Sequence, residues 1–97
     1  MESQMTELQL KTKIVKYLRG IEGIWFYKAA DNFTAGIPDI IICDHGNFVA
    51  LELKVGKNKL SKIQQFVGAQ IILARGSFIE IRSLDEVKKI FPKGGEI

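Results

Sequence analysis

Apolar and polar positions recur along this chain with two different periods, and each period marks a kind of element. From Thr6 to Gly20, Leu10, Ile14, Val15, Tyr17 and Leu18 fall on one side of a 100° helical projection, with Lys13, Lys16 and Arg19 on the other. Thr6 can cap this helix and Gly20 can stop it. Ile24-Trp25-Phe26-Tyr27-Lys28 is short and aromatic, which predicts a first strand. Ile40-Ile41-Ile42-Cys43 and the run from Phe48 to Lys54 predict two more, joined through the turn-rich Asp44-His45-Gly46-Asn47 as a hairpin. A second helix is expected from Ser61 to about Ala74, with Ile63, Phe66, Val67, Ile71 and Ala74 on the face that packs on the sheet. Gly76-Ser77 turns into a fourth strand, Phe78 to Arg82. Ser83-Leu84-Asp85-Glu86 has capping-box form and opens a short last helix that Pro92 stops.

The predicted order is helix, three strands, helix, strand, helix. The middle helix is long enough for a right-handed crossover, which makes the strands on either side of it parallel. The first three strands can form an antiparallel meander. The expected fold is α/β, one mixed four-stranded sheet flanked by helices, with a short C-terminal helix.

Composition narrows the class without naming it. The 97 residues suffice for one domain, taken as 1–97, and 46% hydrophobic with 26% charged residues is ordinary for a globular chain. No apolar run suits a membrane span and no signal-peptide pattern opens the chain, so cytoplasm is the expected compartment. The single cysteine, Cys43, is expected inside a buried strand and has no partner for an internal disulfide. A net charge of +3 fits a polyanion partner.

The chemistry concentrates at the hairpin. Pro38, which lacks an amide proton, suits a strand start, and Asp39 follows it directly. Glu52 and Lys54 lie two apart on the next strand and so share a face. If the hairpin forms, Asp39 and Glu52 meet at one end of the sheet with an ammonium beside them. Carboxylates suit a hard divalent cation, Mg²⁺ or Mn²⁺, and the Leu53 carbonyl can be a further ligand. Lys54 can orient a water or stabilise charge that grows in a transition state. Taken alone, a Glu-x-Lys on a strand is as readily a solvated ion pair. His45 reads as a turn residue rather than a base.

Glu7 falls inside the apolar arc of the first helix. Either its turn frays, or Lys11 pairs with it, or it leans over the sheet end toward the metal site. The loop from Ala29 to Gly36 can present Lys28, Asn32 and Phe33 to a substrate; Phe33 reads either as a lid over the core or as a stacking surface. Lys57, Lys59 and Lys62 are a solubilising edge or phosphate contacts. Gln70, central in the apolar arc of its helix, either reaches a second subunit or satisfies a core carbonyl.

Gly36-Ile37-Pro38-Asp39, Leu51-Glu52-Leu53-Lys54 and Leu60-Ser61-Lys62-Ile63-Gln64 together resemble the PD-(D/E)XK nuclease superfamily, more closely its VRR-NUC branch. The resemblance runs from about Thr6 to Ile90 and implies a restriction-endonuclease-like αβββαβ core. It implies that Asp39 and Glu52 hold the metal, that Lys54 is the catalytic lysine, that Gln64 supports the site, and that Glu7 matches an acid on the first helix, with Glu2 and Glu22 nearby. Lys62-Ile63 stands where a proline and an acid are frequent in relatives. The branch is associated with DNA repair and phage genomes, so the resemblance implies a phage-encoded, metal-dependent endodeoxyribonuclease in a bacterial host. Related minimal domains act as homodimers, some on four-way junctions. Neither an organic cofactor nor a membrane is implied. The alternatives are a general or restriction-like duplex nuclease, and a nucleic-acid-binding module that does not cut.

Overall fold

The computed structural model describes residues 5–31 and 33–93. Helix α1 (Glu7–Leu18) is followed by β1 (Ile24–Lys28), β2 (Ile40–Asp44), β3 (Asn47–Leu53), α2 (Lys62–Leu73), β4 (Ser77–Ile81) and α3 (Leu84–Ile90). The sheet order is β1-β2-β3-β4, with β1, β2 and β3 antiparallel and β4 parallel to β3. This is the mixed sheet expected from the pattern, with its three helices.

Local chemistry explains the boundaries. Thr6 caps α1 by accepting from the Gln9 N–H at 3.1 Å, while the Gln9 side chain accepts from the Thr6 N–H at 2.9 Å. Ser61 and Gln64 repeat the arrangement at α2. The β2–β3 turn places His45 at φ 51° and Gly46 at φ 89°, the left-handed pair that a two-residue hairpin needs. His45 is thus a turn residue, and its Nδ1 lies 2.7 Å from Asp44. At α3 the capping box is only half made. Ser83 accepts from the Glu86 N–H, but the Glu86 carboxylate accepts from the Arg82 N–H, one residue before the cap.

Strand alternation gives the sheet two faces. Leu51 and Leu53 of β3, Ile40 and Ile42 of β2 and Ile81 of β4 face the core, where Leu10, Ile14 and Leu18 of α1 and Val87 of α3 bury completely or nearly so. Truncating any of these leucines or isoleucines to alanine removes about 2–5 kcal/mol. Tyr17 ties the two core helices together, its hydroxyl donating to the Phe91 carbonyl at 2.7 Å. Lys93 lies over the Tyr17 ring, 5.4 Å from its centroid.

The opposite face is covered only in part. Helix α2 lies against β4, and Gly68 is its one buried residue. A Cβ at Gly68 would stand 2.5 Å from the Phe78 ring, so the helix approaches the sheet through the missing side chain. The expectation that Ile63, Phe66, Val67, Ile71 and Ala74 all pack on the sheet is corrected: Phe66 is 59% exposed, and Ile63 and Ala74 are exposed too. One helix roofs only about two strands, since it is 10–12 Å across and strands are about 4.8 Å apart. Cys43 is exposed for the same reason, on the part of the face that α2 does not reach. Gln70 is exposed and so satisfies no core carbonyl. No helix among the described residues is long and apolar enough to cross a membrane.

Candidate active site

Register builds the site. Ile40 pairs with Leu51 across β2 and β3, and one further step along that ladder sets Asp39 opposite Glu52. Asp39 stays fixed at this end by two bonds. Its carbonyl accepts from the Ala29 N–H at 3.0 Å, and its Oδ2 accepts from the Leu53 N–H at 2.8 Å. The Gly36-Ile37-Pro38 approach depends on Gly36, whose φ is 80° and whose absent Cβ would lie 2.9 Å from Ile63 and 3.0 Å from Val67. That glycine lets α2 press on the loop that delivers Asp39.

Glu52 is the buried charge-bearing residue of the fold, 2% exposed among the described residues. Burial pushes its pKa up to about 8, and the Asp39 carboxyl beside it pushes the same way through a hydrogen bond and repulsion. Lys54 opposes the shift and Glu7 adds to it, which places both within electrostatic reach. Glu52 Oε1 is buried with no hydrogen-bond partner. An ionised carboxylate in that position needs a cation. The donors are all oxygen, and magnesium-type sites commonly take one or two carboxylates and complete the shell with water, so these residues fit such an ion. Among the described residues no three His, Cys, Asp or Glu side chains come together as a metal-holding group, so Asp39 and Glu52 stand here as a pair of carboxylates.

Lys54 follows the last residue of β3, its N–H donating to the Ile81 carbonyl at 3.0 Å, so its backbone continues the parallel ladder. Glu7 does not pair with Lys11. Its Oε2 accepts from the Asn58 side chain at 3.2 Å, while the Lys11 Nζ lies 3.8 Å from Asp39 Oδ1. Glu7, Lys11, Asp39 and Leu53 line a hollow of 200 Å³. The sequence offered Lys11 only as a partner for Glu7, not as a residue of the site. The signal was present: it is one turn beyond Glu7 on the line that faces the sheet end.

The remaining candidates divide. The Gln64 side-chain oxygen accepts from the Ser61 N–H, which leaves its NH₂ group for other contacts. Lys57, Lys59 and Lys62 are exposed on and beside the loop after β3. Arg82 holds that loop by donating to the Gly56 carbonyl at 3.0 Å and to the Asn58 carbonyl, and it pairs with Glu80. Lys28 is exposed at the end of β1, and Asn32 lies outside the described residues. Phe33 is 99% exposed and covers no core; the loop around it is closed instead by Asp31, whose carboxylate accepts from the Phe33 N–H at 2.7 Å. That bond above all holds the Asp31 pKa below the ordinary carboxylate value.

Among solved structures, one described as a VRR_NUC domain superposes on this chain with a TM-score of 0.73, over 87% of this chain and 91% of that one. The chain has the fold of a VRR_NUC domain. At 16% identity the likeness is one of fold, and neither a family model nor a curated protein sequence matches.

Proposed function

We propose that the protein is a divalent-metal-dependent DNA endonuclease that hydrolyses phosphodiester bonds, prefers branched DNA such as four-way junctions, and works as a homodimer. The observation that carries this reading is the Asp39–Glu52 pair at the sheet end, with a buried and unpartnered oxygen on Glu52. The likeness to a VRR_NUC domain supports a nuclease. The motif resemblance to the VRR-NUC branch, with no apolar run suited to a membrane span, supports action in the cytoplasm of a phage-infected bacterium.

Asp39, Glu52 and the Leu53 carbonyl would hold Mg²⁺ or Mn²⁺, with Glu7 as the outlying acid. Bound there, such an ion would supply charge relief on the phosphoryl oxygens and help activate water. Lys54 is placed to orient the attacking nucleophile and to stabilise developing negative charge. Lys11, held against Asp39, offers a second cation to the scissile phosphate. Gln64 supports the site through its free NH₂ group, while Lys57, Lys59, Lys62, Lys28 and Asn32 are placed to contact phosphates along the substrate.

The dimer is supported by the uncovered half of the sheet. Trp25 and Tyr27 stand 64% and 54% exposed there, their rings stacked at 6.4 Å. Phe48, Ile63 and Phe66 are large apolar side chains that are also exposed, and exposed aromatic side chains of this kind are enriched at protein interfaces. Helix α2 of a second copy fits over the bare strands, with its Phe66 and Gln70 facing them, and the two-fold operation repeats the contact.

End-labelled four-way junction, flap, linear duplex and single strand, incubated with Mg²⁺, Mn²⁺ or EDTA, test the reading. Metal-dependent cutting concentrated on the junction, and lost in Asp39→Ala, is expected. Equal cutting of every substrate would leave a general nuclease. Binding without cutting in either metal would leave a binding module.

A further inference from the structure

We propose that the groove between α1 and β1 is a phosphate track, in which Lys11, Lys16, Arg19 and Lys28 hold the backbone of one nucleic-acid strand leading into the Asp39–Glu52 site. The inference rests on the nuclease reading and adds a binding surface to it.

The groove has a volume of 480 Å³, and its wall contains four cations and no acid. Lys16, Arg19 and Lys28 make no ion pair with a described residue, so their charge is uncompensated. Helical spacing lines them up: Lys11, Val15 and Arg19 follow one another at four-residue intervals, with Lys16 beside Val15. Lys28 closes the opposite side from the end of β1, paired to Ile40 and therefore next to Asp39 in the ladder. Leu8, Thr12 and Val15 provide an uncharged floor against which sugars can lie.

Position decides what the groove takes. Leu8 and Lys11 line both this groove and the hollow that contains Glu7 and Asp39, so the two are continuous. A polyanion lying along α1 is delivered to the carboxylates. From Lys11 to Arg19 the helix rises about 12 Å, long enough to run beside more than one backbone phosphate of a strand. A concave track one strand wide, ending at a hydrolytic site, favours nucleic acid over a lipid surface.

The test is anisotropy of fluorescein-labelled single-stranded and duplex DNA in EDTA between 50 and 200 mM KCl, titrated with Lys16→Ala/Arg19→Ala and with the charge-matched Lys88→Ala/Lys89→Ala on α3. Each lost phosphate contact lowers the slope of log K against log salt by about 0.9 for duplex or 0.7 for single strand. The groove variant is expected to lose about 1.8 or 1.4 in slope and at least tenfold in affinity, with cleavage at saturating DNA retained. The α3 variant should keep the wild-type slope. Equal losses in both variants, or a normal slope in the groove variant of a protein that still cuts DNA, would overturn the track and leave the nuclease standing. Wild-type protein that neither binds nor cuts DNA would instead overturn the nuclease reading. Groove-dependent binding to phosphatidylserine vesicles in preference to DNA would reassign the cations to a membrane and overturn the track.

Discussion

Asp39 accepts a hydrogen bond from the backbone N–H of Leu53 at 2.8 Å, which locks one carboxylate oxygen to the strand that carries the other carboxylate, Glu52. The bond fixes the separation of the two acids independently of any ligand. It also gives Asp39 a structural task beside its proposed chemical one.

The two tasks separate by substitution. Asp39→Ala leaves the part-buried Leu53 N–H without its acceptor, at a cost of about 1–3 kcal/mol. Asp39→Asn keeps an acceptor and is expected to melt within a few degrees of wild type. Both should lose tight Mn²⁺ binding by calorimetry; unchanged affinity in Asp39→Asn would show that the wrong carboxylate has been assigned.

Glu52 makes the metal-free protein sensitive to base. Its pKa is raised from 4.5 to about 8 in the fold, so the unfolded chain gives up this proton first as pH rises. Stability in EDTA is therefore greatest below about pH 4.5 as far as this group is concerned, and is lost progressively as pH climbs to 8, by up to roughly 5 kcal/mol. Glu52→Gln should flatten that slope in thermal melts from pH 5 to 8.5. It should also abolish the rise in Tm that Mn²⁺ gives at pH 8. A slope that survives the substitution would locate the sensitivity elsewhere.

Lys54→Ala is expected to keep metal and DNA binding while cleavage falls by at least a hundredfold, since a group acting on the transition state adds little to ground-state affinity. Wild-type turnover in this variant would remove Lys54 from the mechanism.

Gly36→Ala places a methyl within 2.9 Å of Ile63 at a residue whose φ is 80°. It should destabilise the fold by about 1–3 kcal/mol and shift the loop that delivers Asp39. Loss of activity at temperatures where circular dichroism still reports a folded protein would separate this displacement from unfolding.

The apolar half-face offers a solution test of the dimer. Trp25→Glu or Phe66→Glu changes an exposed side chain, so the monomer should fold, and light scattering should report half the wild-type mass. Wild-type protein that is already monomeric at tens of micromolar would remove the homodimer from the proposal.

The sequence by itself determined the elements and their order, because caps, turns and apolar periods act over a few residues. Thr6, Ser61 and the His45-Gly46 turn lie where local chemistry puts them. It also brought Asp39 and Glu52 together, since a two-residue hairpin leaves little freedom of register. The tertiary structure decided what lies more than one element away. Whether Lys11 would meet Glu7 or Asp39 depended on how α1 crosses the sheet end, and the exposure of Cys43 and Phe66 depended on which strands α2 covers. Periodicity shows that a face is apolar; only the packing of the other elements determines whether this chain has enough of them to cover it.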